Sequence, residues 1–363
     1  GWYRTEFDVP QFQAGKRATI LFDGAMSHAN VYINGQKVGY WPYGYNSFHF
    51  DITKYLKPGE KNTLAVRLEN LPESSRWYPG AGLYRNVHLI VTEDAYIPVW
   101  GTYITTPSVN EKFAKVNVLT KVVLPEGADP AKYSVETSVW NPNKQKLTAV
   151  RTSLAQMKYN NDQAEQEFVI QDPSLWSPEM PALYSAETRL YEGDKLKDVY
   201  TTPFGIRSIE IIPDKGFFLN GKRTVFKGVC NHHDLGPLGA AVNDAAIRRQ
   251  IRILKDMGCN AIRTSHNMPA PELIRACDEM GMMIMAESFD EWNVAKCKNG
   301  YNLLFDEWAE KDLVNLLHNF RNNPSVVMWC IGNEVPNQWN EGDTKIAKWL
   351  QDICHREDPT RPV

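Results

Sequence analysis

The sequence predicts two β-sandwich modules followed by a parallel α/β domain with the pattern of the first half of a TIM (β/α)8 barrel. Up to about residue 207, short alternating runs are separated by turns rich in Gly, Pro and Asn, which is typical of sandwiches. From about residue 208, strands alternate strictly with helices, which favours a parallel sheet. Residues 326–331 form an apolar run of strand length, as expected for a strand buried on both faces of such a sheet.

The first module, residues 1–95, is predicted to be a sandwich. Residues 62–70 alternate between apolar and polar side chains. Asn34-Gly35 predicts a hairpin, because both central positions of a type I′ turn need positive φ. Aromatic side chains are dense at residues 40–48 and 77–84. Such rings can stack on sugars or pack in a sandwich core, and the sequence leaves both interpretations open.

The second module, residues 96–207, shows the same alternation at residues 116–122 and 135–139. Its turns, such as the Pro-containing segment 141–144, are polar, and no chemically distinctive motif stands out. We therefore expect an immunoglobulin-like sandwich that serves as a spacer.

The third part, residues 208–363, contains four strand–helix units. The predicted strands are residues 224–229, 261–263, 282–286 and 326–331, and the predicted helices are residues 244–257, 271–280, 305–320 and 344–355. A TIM barrel has eight such units over ~250 residues, so about half a barrel is expected. A doubly wound sheet is the alternative, but the long third crossover and the lack of a glycine-rich phosphate loop count against it.

Polar side chains follow each of the four predicted strands. Residues 231–234 follow the first strand, residues 263–267 the second, residues 287–292 the third, and Asn333-Glu334 the fourth. A single histidine after a strand is more often structural, and a single strand that ends in Asn-Glu is more often a solvated turn. Four consecutive strands that end in this way indicate a site, since the active sites of barrels lie at the C-terminal strand ends.

The composition excludes several classes of protein. The net charge is −3, so no nucleic-acid partner is expected, and no apolar run reaches the ~18 residues that a membrane span needs. The six cysteines begin at Cys230 and form no CxxC pair, so we interpret them as buried thiols and predict neither a disulfide framework nor a metal site. No cofactor is expected. The composition leaves the compartment open between cytoplasmic and periplasmic or secreted, and it leaves a homo-oligomer open.

Several motifs resemble those of glycoside hydrolase family 2. Residues 260–266, Asn-Ala-Ile-Arg-Thr-Ser-His, together with Asp-Glu-Met-Gly at 278–281, resemble one family signature. Residues 322–334, from Asn-Asn-Pro-Ser to Gly-Asn-Glu, resemble the signature around the acid/base. Shorter resemblances lie at residues 82–87, 175–178, 204–207 and 227–232. The resemblance spans the chain and implies a jelly-roll-like sugar-binding sandwich, an immunoglobulin-like domain and a TIM barrel.

The resemblance also implies roles for individual residues in the hydrolysis of a β-glycoside, the expected carbohydrate partner. Glu334 matches the general acid/base, and burial near a second carboxylate is expected to keep it protonated before reaction. Asn333 matches the residue that contacts the 2-hydroxyl of the sugar, and His232 and His266 match histidines of the subsite for the cleaved sugar. Arg76 stands near the position of a sugar-binding aspartate and is the remaining candidate for substrate binding.

The family places its nucleophile on a later barrel strand, near the seventh. After Glu334 the remaining carboxylates are Glu341, Asp343, Asp352, Glu357 and Asp358, with no further predicted strand to position them. We therefore expect the chain to be the N-terminal portion of a longer enzyme, with an incomplete N-terminus and without the nucleophile.

The predicted function is that of a retaining exo-β-glycosidase that acts on terminal β-linked sugars and resembles β-galactosidases. The alternatives within the family are a β-glucuronidase or a β-mannosidase. Another TIM-barrel glycosidase family could share the Asn-Glu pair, although such families usually lack two leading β domains. From a different class, a carbohydrate-binding protein with a degenerate barrel is also compatible with the sandwich aromatics.

Overall fold

The computed structural model describes residues 1–9, 15–156, 162–339 and 344–363, and the first of its parts is a sandwich of two antiparallel sheets. Its strands are β1 (Trp2–Phe7), β2 (Arg17–Phe22), β3 (Ala29–Ile33), β4 (Gln36–Trp41), β5 (Phe48–Asp51), β6 (Asn62–Arg67) and β7 (Val87–Thr92). One sheet has the order β1-β6-β3-β4 and the other β5-β2-β7. The predicted hairpin is confirmed, since Asn34 and Gly35 join β3 to β4 with φ of 51° and 79°. Two of the carboxylates that follow Glu334 in the sequence, Glu341 and Asp343, lie outside the described residues.

The second part is also a sandwich. Its strands are β8 (Thr102–Val109), β9 (Phe113–Lys121), β10 (Tyr133–Trp140), β11 (Lys146–Ser153), β12 (Gln163–Gln171), β13 (Tyr184–Glu192) and β14 (Lys195–Phe204). The two sheets have the orders β11-β10-β13-β14 and β12-β9-β8, and all their ladders are antiparallel. Val116, Val118 and Val139 are fully buried between the sheets, as their alternation predicts.

A small antiparallel sheet of β15 (Ile209–Ile212), β16 (Gly216–Leu219) and β17 (Lys222–Arg223) leads into the parallel domain. That domain is a four-stranded parallel sheet in chain order, with strands β18 (Gly228–Asn231), β19 (Ala261–Thr264), β20 (Met283–Glu287) and β21 (Val326–Cys330). Its helices are α1 (Asp244–Asp256), α2 (Pro271–Met280), α3 (Phe305–Phe320) and α4 (Thr344–Glu357). Sequential parallel strands joined by helices are the arrangement predicted for part of a TIM barrel.

Two features of the parallel domain differ from the sequence-based predictions. The first barrel strand is not residues 224–229 but β18, because residues 222–223 pair with β16 and the N–H of Thr224 still donates to the carbonyl of Phe217. The cysteines are all free thiols, as predicted, but only Cys277 and Cys354 are buried. None of the described helices is long and apolar enough to cross a membrane.

Both sandwiches dock onto the parallel domain through buried aspartates. Asp312 of α3 accepts hydrogen bonds from Trp41 Nε1 at 2.8 Å and Asn46 Nδ2 at 2.7 Å, which belong to the first sandwich. Asp358, after α4, accepts from the hydroxyl of Tyr103 in the second sandwich at 2.9 Å. Buried carboxylates need such donors. The docking brings a loop of the first sandwich to the C-terminal ends of the barrel strands.

Candidate active site

The C-terminal ends of the four parallel strands form one cleft. His266 follows β19, Glu287 ends β20, Asp290 lies three residues later, and Asn333 and Glu334 follow β21. Arg263 in β19 connects them, since its Nη2 atom donates to Glu287 Oε1 at 2.9 Å and to Asn333 Oδ1 at 3.3 Å. Arg263 therefore joins the side chains at the ends of β20 and β21 to β19.

Glu287 lies at the floor of the cleft with no exposed side-chain surface. Burial raises the pKa of Glu287 to about 8, although the Arg263 charge opposes this shift. Its two carboxyl oxygens lie 3.0 and 3.2 Å from Nδ1 of His266. Burial and the nearby Arg263 charge lower the pKa of His266 to about 4, so the imidazole is neutral near pH 7. Glu287 thus orients the histidine ring from behind and leaves Nε2 available for a ligand.

Asn333 is 5% exposed, and its hydrogen bonds fix the orientation of its amide. Its Oδ1 atom accepts from Arg263, and its Nδ2 atom donates to Asp290 Oδ1 at 2.9 Å. An amide nitrogen carries two hydrogens, so one N–H remains for a ligand in the cleft. Asn333 is therefore set up as a donor.

Glu334 lies at the rim, and the structure contradicts the expectation that it is buried. Its side chain is 72% exposed, and Arg76 Nη1 lies 3.6 Å from its Oε2 atom. Its backbone has φ of 42°, a left-handed conformation that is uncommon for residues other than glycine. The buried carboxyl group of the site is instead Glu287, the last residue of β20.

The first sandwich contributes one wall of the cleft. Arg76 Nη2 donates to Asp290 Oδ1 at 2.8 Å, and the Arg76 guanidinium lies 4.5 Å from the centre of the Trp77 ring. The Trp77 ring in turn lies 4.8 Å from His232 and 4.9 Å from His266, measured between ring centres. Arg76, the remaining candidate for substrate binding, thus lies at the cleft, where its nearest partner is a carboxylate of the barrel.

The two histidines at the first strand end differ in their surroundings. The His232 ring lies 5.4 Å from His266, and its Nδ1 atom is buried without a hydrogen-bond partner among the described residues. Nε2 of His233 lies 3.1 Å from the carbonyl oxygen of Pro79, so it donates to that acceptor. Burial lowers the pKa of His233 to about 4. His232 faces the cleft, whereas His233 ties the first sandwich to the barrel.

Sequence reasoning gave no role to four residues that the structure places in the cleft. Arg263, Glu287 and Asp290 were visible only as polar residues near strand ends, and Trp77 as one of many aromatics. The other aromatics have different surroundings: Tyr43, Tyr45 and Tyr84 pack in one buried cluster with barrel residues such as Phe289, Phe48 lies in the sandwich core, and Tyr78 is 85% exposed. Within the described ranges, no group of three or more His, Cys, Asp or Glu side chains is arranged to hold a metal ion.

Family models match nearly the entire chain. The sugar binding domain of glycosyl hydrolases family 2 matches residues 1–93, a further domain described as glycosyl hydrolases family 2 matches residues 96–207, and the family 2 TIM barrel domain matches residues 210–363. These matches confirm the predicted architecture of two sandwich domains and a portion of a TIM barrel.

Similar proteins carry two different activities in their names. The chain is 45% identical to the β-galactosidase BoGH2A of Bacteroides ovatus over 94% of the chain and 40% of that protein. It is 38% identical to a putative β-glucuronidase of Formosa agariphila over 99% of the chain and 33% of that protein. The chain therefore spans less than half the length of these relatives.

Solved structures give the same result for the fold. A family 2 member from Bacteroides cellulosilyticus superposes with a TM-score of 0.94 at 36% identity, over 99% of this chain and 46% of that one. A β-glycosidase from Bacteroides vulgatus superposes with a TM-score of 0.92 at 37% identity, over 100% of this chain and 45% of that one.

Proposed function

Since the chain belongs to glycoside hydrolase family 2, we propose that it carries the acid/base half of a retaining exo-β-glycosidase that acts on terminal β-linked sugars. The observation that carries this proposal is the position of Asn333 and Glu334 at the end of β21, where Asn333 contacts Arg263 of β19 and Glu334 lies 3.6 Å from Arg76 of the first sandwich. The carboxyl group of Glu334 can protonate a glycosidic oxygen, and the Asn333 amide beside it can donate a hydrogen bond to the sugar.

In the proposed reaction, Glu334 protonates the leaving oxygen and then removes a proton from the attacking water. Its position at the C-terminal end of β21 suits this role, because the active-site groups of barrel enzymes lie at these strand ends. Asn333 donates its free N–H to the 2-hydroxyl of the sugar. His232 and His266 line the subsite of the cleaved sugar, next to the Trp77 ring, on which a sugar face can stack.

Neither of the other carboxylates in the described cleft suits the role of nucleophile. Glu287 has no exposed surface, and Asp290 is engaged by Arg76, Asn333 and Lys296. A nucleophile on a later barrel strand, as the family resemblance implies, therefore remains part of the proposal. It would have to lie ≈ 5–5.5 Å from Glu334 for retention.

The relatives support a galactoside as the substrate: the identity to the β-galactosidase BoGH2A is 45%, against 38% to the putative β-glucuronidase of Formosa agariphila. We therefore propose a β-galactosidase-like activity, with a β-glucuronidase or β-mannosidase as the alternatives.

The test is turnover of p-nitrophenyl β-galactoside, β-glucuronide and β-mannoside by the full-length protein, with the anomeric configuration of the first product read by NMR. The proposal predicts hydrolysis with retention and the highest kcat/KM for the galactoside. If kcat/KM is instead highest for the glucuronide, the proposed galactoside specificity is wrong. Binding of the glycosides without turnover of any of them would favour the carbohydrate-binding alternative.

A further inference from the structure

A loop of the first sandwich, residues 72–80, is attached to the barrel at several separate points; we call it the Arg76 loop. Near its start, Asn299 Nδ2 donates to the carbonyl of Pro72 at 2.7 Å. Near its end, His233 donates to the carbonyl of Pro79 at 3.1 Å. Between these points, the Trp77 ring rests against both cleft histidines. The loop is thus part of the cleft wall, although it belongs to another domain.

Asp290 is the central attachment of this loop. Its Oδ1 atom accepts from Arg76 Nη2 at 2.8 Å, Asn333 Nδ2 at 2.9 Å and Lys296 Nζ at 3.1 Å. Its Oδ2 atom accepts from Arg76 Nε at 3.3 Å, so the guanidinium donates to both oxygens of the carboxylate. The side chain is 15% exposed. One carboxylate therefore connects the loop of the sandwich to the amide beside Glu334.

The ionisation of Asp290 is consistent with this arrangement. Burial would raise the pKa of Asp290, but the hydrogen bonds from Arg76 and Asn333 and the Lys296 charge outweigh burial and lower it. The carboxylate is therefore an acceptor toward all three donors at neutral pH. An amide in its place could not balance the charges of Arg76 and Lys296.

We propose that Asp290 is a positioning residue: it holds the Asn333 amide as a donor toward the sugar and clamps the Arg76 loop over the cleft. The role in catalysis rests on the proposed glycosidase function, whereas the clamp can be tested without it. Among the described residues, loss of the Asp290 carboxylate leaves Glu334 as the acidic partner of Arg76 and Arg263 as the side-chain partner of Asn333.

The clamp is tested by limited trypsin digestion, because Arg76 is itself a trypsin site. In the wild-type protein the Asp290 contacts protect the Arg76–Trp77 bond, and Asp290→Asn should increase the rate of cleavage there by roughly tenfold or more, as expected when a local opening becomes about 1.4 kcal/mol easier. Asp306→Asn, which changes an exposed carboxylate in the first turn of α3, is the control and should cleave like wild type. Equal cleavage of Asp290→Asn and wild type would contradict the clamp.

The positioning of Asn333 is tested with a pair of substrates, a p-nitrophenyl β-glycoside and its 2-deoxy analogue. Asp290→Asn should lower kcat/KM for the parent glycoside by on the order of 10²-fold, since small misplacements of a contacting group have such effects. The 2-deoxy analogue has already lost the contact with Asn333, so its kcat/KM should fall much less. Equal losses on both substrates would show that Asp290 acts only structurally. Absence of turnover by the wild-type protein would instead refute the proposed function and leave the trypsin result standing.

Discussion

Nδ1 of His266 lies 3.0 Å from Oε1 of Glu287, a carboxyl group without exposed surface. The contact joins the ends of two neighbouring parallel strands, so the histidine is held by the barrel itself. A ring fixed in this way presents its other nitrogen to the cleft in one direction, which is what a sugar-binding subsite requires.

The first prediction concerns the buried carboxyl group of this pair. The pKa of Glu287 rises from an ordinary 4.5 to about 8 in the folded protein, so the protonated form contributes stability below pH 4.5 that is lost as the pH rises toward about 8. Glu287→Gln cannot ionise and should escape this loss. The melting temperature of wild type relative to Glu287→Gln should therefore fall between about pH 5 and pH 8. If the melting temperatures of the two proteins instead change with pH in the same way across this range, Glu287 does not titrate there.

The second prediction concerns the histidines. If His232 and His266 both contact the sugar, replacement of either by Ala should lower kcat/KM by on the order of 10²-fold or more, because contacts that strengthen in the transition state supply several kcal/mol. Neither substitution should greatly lower the melting temperature, because both rings line the cleft. A large fall in melting temperature with unchanged specific activity would show that the histidines are packing residues.

The third prediction concerns the docking of the second sandwich. Burial opposes ionisation of Asp358, but Arg361, together with hydrogen bonds from Thr360, Trp329 and Tyr103, lowers the pKa of Asp358 to about 2 from an ordinary 3.8. This difference corresponds to about 2 kcal/mol of stability, which is present above pH 3.8 and lost as the pH falls toward about 2. Asp358→Asn should destabilise the protein by at least about this amount at neutral pH, as measured by urea unfolding.

Asp352→Asn is the matched control for Asp358→Asn. Asp352 lies on α4 with a side chain that is 59% exposed, and Lys348, one turn away, is its ion-pair partner among the described residues. Its replacement should change stability by less than about 0.5 kcal/mol. A similar effect of the two substitutions, or an Asp358→Asn effect that does not shrink at low pH, would contradict the assigned role of Asp358.

Most of the fold was predictable because glycine, proline and hydrophobic periodicity define its elements. Pro271 begins α2, and Gly281 ends it with φ of 72°. The start of the barrel was not predictable in this way, since Val225 and Phe226 have the composition of a strand but are 56% and 37% exposed. Pairing with β19 determines where β18 begins: a Cβ at Gly228 would meet the Ala261 carbonyl oxygen at 2.8 Å, so glycine permits the close approach.

The site was predictable where it is local in sequence and not where it depends on distant contacts. Asn333 and Glu334 directly follow a recognisable strand, so their position follows from the strand itself. The ion pair of Arg76 with Asp290 joins residues 214 positions apart, and no periodicity indicates such a contact. The left-handed backbone of Glu334, with φ of 42°, was also not evident, because residues other than glycine usually avoid this conformation.

The most direct test of the central claim is the turnover of Glu334→Gln in the full-length protein on substrates with poor and with activated leaving groups. Substitution of a general acid should nearly abolish hydrolysis of alkyl glycosides, which have poor leaving groups. Dinitrophenyl glycosides have a leaving group that needs little protonation, so their glycosylation of the enzyme should be much less affected. Azide should partly restore turnover of the activated substrate by replacing the water that Glu334 activates. Small and equal losses on both kinds of substrate, without an azide effect, would contradict the assignment of Glu334 as the acid/base.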